Sequence, residues 1–128
     1  MAALRALHAQ IAPGRFVPPG GTVGLGATAG AFVNAVAACR DEACEGLALA
    51  HGRPGVPIVS ALWALAAHRP MAWGEVLRAT IFGYQVGGTM GAYLRILPGM
   101  HVDAGWPALG AAAAVAHALG LPLAQRLD

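Results

Sequence analysis

Five histidines and two cysteines are the side chains here best suited to moving protons or holding ions. Histidine titrates nearest neutrality and is the first candidate for acid–base work. His8, His68 and His117 fall inside helical patterns with no acid or cysteine at ligand spacing, which assigns them to surface or packing. His51 and His101 lie in Gly/Pro loops, each beside a charged residue, Arg53 and Asp103 respectively. Their surroundings suit proton transfer better. Cys39 and Cys44 do not have zinc-ligand spacing, and two thiols make no disulfide framework. Reduced thiols in a reducing cytoplasm are the plain expectation, with no metal site.

All eight basic residues are arginine, so Schiff-base chemistry and a phosphate-loop lysine are excluded. The net charge is only +2, and no basic run or interleaved aromatic stripe marks a nucleic-acid surface. The stretch from Val23 to Gly30 superficially resembles a dinucleotide loop. Its third glycine comes one position late, and it has no preceding strand or following βαβ unit. It reads as a flexible approach to a helix.

These residues need elements to position them. Leu4, Leu7 and Ile11 predict a short helix over 2–11, ended by Pro13-Gly14. Loop follows to Gly26, with a short extended piece at Thr22-Val23. Further helices are predicted over about 28–39, 57–68, 73–94 and 107–119, with Pro57 in a first turn and Pro70, Pro98-Gly99 and Gly120 as stops. Asp41, Glu42 and Glu45 surround a short helix or turn, and the last residues begin another helix. In the longest helix Gly83, Gly87 and Gly91 recur every four residues, forming a strip that admits a second backbone. Each glycine costs about 1 kcal/mol relative to alanine, so packing must offset it. Trp63, Trp73, Trp106 and Tyr84 read as packing residues, the Tyr84 hydroxyl needing a partner if buried. No strand pattern or repeat appears. The fold class is all-α, a bundle of about five helices, as one domain over 1–128.

Composition bears on partners. The chain is 57% hydrophobic and 11% charged, and much of the apolar share is alanine, which buries little area. A lone domain of this kind exposes apolar surface, which predicts a homodimer or a complementary chain or domain. The uncharged stretch 104–125 is long enough to span a bilayer but carries Pro107, Pro122 and His117, and no cleavable leader opens the chain. A soluble, cytoplasmic protein with no membrane partner is the expectation.

Residues 54–121 resemble the MmgE/PrpD family, the 2-methylcitrate dehydratase-like enzymes. The resemblance rests on Pro54-Gly55 followed by the apolar run from Ala61 to Ala66, on Glu75-Val76-Leu77 through Gly83-Tyr84-Gln85-Val86, and on Gly99-Met100-His101. Gly110 to Ala114 and Ala118-Leu119-Gly120-Leu121 complete it, while Val23-Gly24 and Asn34 fit more loosely. The resemblance implies the N-terminal helical domain of an enzyme that dehydrates, decarboxylates or epimerises small polycarboxylates without metal or redox cofactor. The family's site lies between this domain and a second, mixed α/β domain.

Carried over by position, His101 is a site histidine acting as general base or acid. Arg53 stands where the family has a histidine, and Cys44 or Glu45 stands at the site aspartate. Arg53 can bind a substrate carboxylate with its planar fork but cannot serve as a base. His51, two residues away, is a substitute proton carrier. Tyr84 joins Arg53, Glu45 and Cys44 as a substrate-binding candidate. The family's later lysine and second domain have no counterpart here, and Asp128 falls within what would be the next helix. The resemblance thus implies a truncated or split lyase. A catalytically inactive helical module that binds a partner chain or small acid is the alternative. A small membrane-associated helical protein is the third reading, which solubility without detergent would separate.

Overall fold

The computed structural model describes residues 13–94, 97–101, 105–122 and 124. Among these residues there are four α-helices: α1 (Ala27–Cys39), α2 (Gly55–His68), α3 (Trp73–Tyr93) and α4 (Pro107–Ala118). Their bounds agree with the sequence-based ones to within two residues. The helix expected over 2–11 lies outside the described residues, as does most of the one expected after Pro122. The all-α class holds, and no described helix is long and apolar enough to cross a membrane.

One short element departs from the sequence reading. β1 (Pro13–Phe16) is a four-residue strand that pairs antiparallel with Leu25, its Gly14 N–H bonding the Gly24 carbonyl at 3.3 Å. The run Pro-Gly-Arg-Phe shows no alternation, so side-chain pattern cannot announce it. Long-range contacts hold it instead. Phe16 is fully buried, and a Cβ on Gly30 of α1 would lie 2.6 Å from its ring. His68, at the end of α2, accepts a hydrogen bond from the Arg15 N–H at Nε2, while its Nδ1 donates to the Ala64 carbonyl (2.9 Å). Both ring nitrogens are used, which fixes the tautomer and ties β1 to α2.

α3 and α4 form the most extensive contact of the bundle. An added Cβ on Gly83 would sit 2.8 Å from both the Ala114 Cβ and the Gly110 carbonyl oxygen, and one on Gly87 would sit 3.1 Å from the Gly110 Cα. The glycine strip of α3 is therefore a seat for the backbone of α4. Ile58 from α2 closes the junction, its Cδ1 placed 3.2 Å from where a Cβ on either Gly83 or Gly110 would be. With Leu62, Ala79 and Ala114 it makes the buried core, with Ala111 and Ala118 packed alongside.

The ends of the helices are managed locally. Pro107 opens α4, where its fixed φ suits a first turn and its missing N–H costs nothing. At α3 the Glu75 carboxylate accepts from the Ala72 N–H at 2.8 Å, which is half a capping box. Arg69 donates to the Ala118 carbonyl and so joins the C-terminus of α4 to the α2–α3 connection.

Glycine at the α3–α4 seam makes a sharp test. Gly83→Val places methyl groups against backbone that cannot retreat, and we expect a loss of about 2–3 kcal/mol by chemical denaturation. Gly74→Ala meets only the mobile end of Arg78, 3.4 Å away, and should stabilise the chain by up to about 1 kcal/mol.

Candidate functional site

The polar residues collect at the start of α2, where the first backbone N–H groups lack intrahelical acceptors. The Gly55 N–H donates to Glu45 Oε1 at 2.6 Å, so a carboxylate closes the positive end of the helix. The Tyr84 hydroxyl, reaching across from α3, donates to the same oxygen at 3.0 Å. Glycine at position 55 is a requirement of this arrangement: a Cβ would collide with the Tyr84 hydroxyl and lie 2.8 Å from the Glu45 carboxylate. Partial burial, the hydrogen bond to Glu45 and the negative charge of Glu45 together push the Tyr84 phenol up to about 12. It stays a proton donor throughout the neutral range.

Beside this cluster Arg53 pairs with Glu42, Nη1 to Oε2 at 2.6 Å. Glu42 and His51 are the two non-glycine residues with positive φ among the described residues, at 55° and 51°. Both lie in the segment between α1 and α2, whose course is set by short-range bonds. The Glu42 N–H bonds the Cys39 carbonyl, and Leu47 pairs with Gly52 around the single 3-10 turn Ala48–Ala50. The result is a shallow cavity of about 430 Å³ lined by Gly46, Leu47, Ala48, His51, Gly52 and Arg53.

The sequence-derived candidates are thus distributed unevenly. Glu45 and Tyr84 are in direct contact, and His51 and Arg53 share a cavity wall. Cys44 stands apart, its thiol donating to the Ala38 carbonyl at 3.4 Å rather than facing the cluster. His101 is exposed on the loop between α3 and α4, and its neighbour Asp103 lies outside the described residues. The re-entry of that loop is pinned near the cavity: the buried Trp106 ring lies against Gly52 and Gly91. His117 packs instead against Phe82, ring centroids 4.8 Å apart. Among the described residues no three His, Cys, Asp or Glu side chains gather as a metal would require.

Three contributors escape sequence reasoning. Gly55 looks like turn punctuation after proline. Glu42 looks like one of several surface acids, and Trp106 like ordinary packing. The available signal is Gly55 itself, since glycine in the first turn of a helix is a poor choice unless something must approach its backbone.

Fold and cluster together define an alanine- and glycine-rich helical domain whose polar groups converge on one helix start. The family model described as the MmgE/PrpD N-terminal domain matches residues 1–128, and the chain belongs to that family. No match is found among curated proteins or solved structures.

The Tyr84–Glu45 contact has a defined pH signature. A phenol held above its unfolded value of about 10 contributes stability that is complete below pH 10 and is lost as pH rises through about 12. Thermal melting of the parent should therefore fall toward, or below, that of Tyr84→Phe between pH 10 and 12. A constant gap between the two across that window would show that the phenol is not shifted.

Proposed function

We propose that this chain supplies the helical-domain face of a lyase- or isomerase-type site acting on a small polycarboxylate. The observation that carries the reading is that His51 and Arg53 line one cavity beside the Glu45–Tyr84 pair. Support also comes from Trp106, which anchors the loop bearing His101 to Gly52 at the same cavity's wall. Dehydration, decarboxylation or epimerisation next to a carboxylate needs a proton carrier and cationic groups to hold the negative charge that develops. Arg53 seats a substrate carboxylate. In this reading His101 takes and returns the proton, and His51, which lines the same cavity as Arg53, is the second carrier. Glu45, held by Tyr84 and the Gly55 N–H through one carboxylate oxygen, fixes the shape of the loop beside the seat. In this reading a complementary domain or chain in the same cytoplasmic compartment supplies further cations and the lid, and no cofactor takes part.

A second reading, an inactive module that binds a partner chain or a small acid, is favoured by the apolar residues left open on α3. Trp73, Leu77 and Ile81 follow one another at four-residue spacing and are all exposed, with Leu49 exposed beside Ile81 in the groove they share. A second copy of the chain, as a homodimer, or the complementary domain would cover them.

Turnover of a panel of hydroxy- and unsaturated polycarboxylates, followed by the ultraviolet absorbance of the carbon–carbon double bond, decides between the two. The assay is run on the chain together with its complementary domain. His101→Ala should lower kcat by at least about a hundredfold. Arg53→Ala should raise KM by about ten- to a hundredfold through the lost charge-assisted bond. Full turnover in His101→Ala would sink the assignment of the base, and absence of turnover in the parent would leave the binding module.

A further inference from the structure

We propose that Glu42 is a resident occupant of the carboxylate seat on Arg53, and that an incoming acid binds by displacing it. The inference rests on the reading of Arg53 as a carboxylate anchor. The Glu42–Arg53 contact has the geometry that a bound acid would adopt, a charge-assisted bond of 2.6 Å from Nη1 to a carboxylate oxygen.

The two partners are unequal in a way that suits exchange. The Arg53 side chain is 16% exposed and forms part of the cavity wall, whereas that of Glu42 is 72% exposed. Glu42 can therefore swing into water with little change in its hydration. Arg53 stays where it is. The seat keeps one carboxylate before and after the exchange, so the part-buried guanidinium keeps a counter-charge throughout.

The backbone shows how Glu42 is delivered. Its φ of 55° is a left-handed conformation that a glutamate seldom adopts, and its N–H is tied to the Cys39 carbonyl at 3.2 Å. This turn directly after α1 aims the side chain back across eleven positions to Arg53. Local charge adds a threshold. Asp41, Glu42 and Glu45 outnumber Arg40 and Arg53, and Arg40 is already directed at Asp41, 3.9 Å away. An acid entering the cavity meets net negative charge until Glu42 leaves.

The test is chemical labelling of Arg53 by phenylglyoxal, read peptide by peptide by mass spectrometry, with citrate as the competing acid. It is performed on the full chain as parent, Glu42→Gln and Glu42→Gly. The glycine variant accommodates the left-handed φ, so it keeps the turn while removing the carboxylate. Both variants should label at Arg53 several-fold faster than the parent, and citrate should protect Arg53 in them at a concentration at least fivefold lower. Equal labelling in all three forms overturns the resident-carboxylate inference. Faster labelling with citrate protecting parent and variants at one common concentration overturns it as well, because no competition then exists. Faster labelling with no protection by citrate in any form instead removes the carboxylate seat, and the proposed function together with this inference.

Discussion

The rest of the structure depends on the close approach of the α3 and α4 backbones. Side chains ordinarily hold two helices 8–10 Å apart, and here the contact positions are glycine on both sides. Gly83 and Gly87 receive Gly110, and the place where a Cβ would stand is filled by main-chain atoms of the opposite helix. The association gains dispersion contacts over a long, flat seam in place of large apolar side chains. That explains how a chain so rich in alanine and glycine holds a bundle with Ile58 and Leu62 as its largest buried core aliphatics. It also explains why α3 bears glycines that isolated helices would disfavour.

The polar cluster inherits its geometry from this seam. Tyr84 follows Gly83 directly, so seating α4 on Gly83 fixes the rotation of α3 and with it the direction of the phenol. The phenol then meets Glu45, and Glu45 meets the first N–H of α2. At the other end of the strip, Gly91 makes room for Trp106, whose ring also covers Gly52. One strip of absent side chains thus determines both the contact that holds Glu45 and the anchoring of the loop that carries His101. The arrangement has a cost: the Trp106 Nε1 and the His117 Nδ1 are buried without a protein partner, each a penalty of order 1–3 kcal/mol unless water reaches it.

Much of this was legible in the sequence, because proline and glycine punctuate the helices strongly. Pro57, Pro70, Pro107 and Gly120 place the ends of α2 and α4 to within two residues, and the four-residue glycine period announces the close helix contact. Helical spacing also separates His68 and His117, which pack, from the loop histidines. What remained hidden lies in contacts between residues distant along the chain. Nothing in Pro-Gly-Arg-Phe reveals that burial of Phe16 against Gly30 will make it a strand. The pairing of Tyr84 with Glu45 spans 39 positions, and no local spacing announces it. Among the tryptophans, periodicity could not show that only Trp106 is buried while Trp63 and Trp73 are 57% and 67% exposed.

A glycine seam has a further property that side-chain cores lack. In an ordinary core, random change proceeds in both directions: some substitutions leave a gap and others add bulk, and a neighbouring change can correct either. Glycine has nothing to remove. Every codon change that alters Gly83, Gly87 or Gly110 adds atoms to a space already filled by another main chain. Trimming Ala114 or Ile58 does not restore the room, because main-chain atoms of the facing helix still occupy it. Mutational load in this fold is therefore one-sided and concentrated on a few codons of α3 and α4. The alanine-lined surfaces around them remain free to drift.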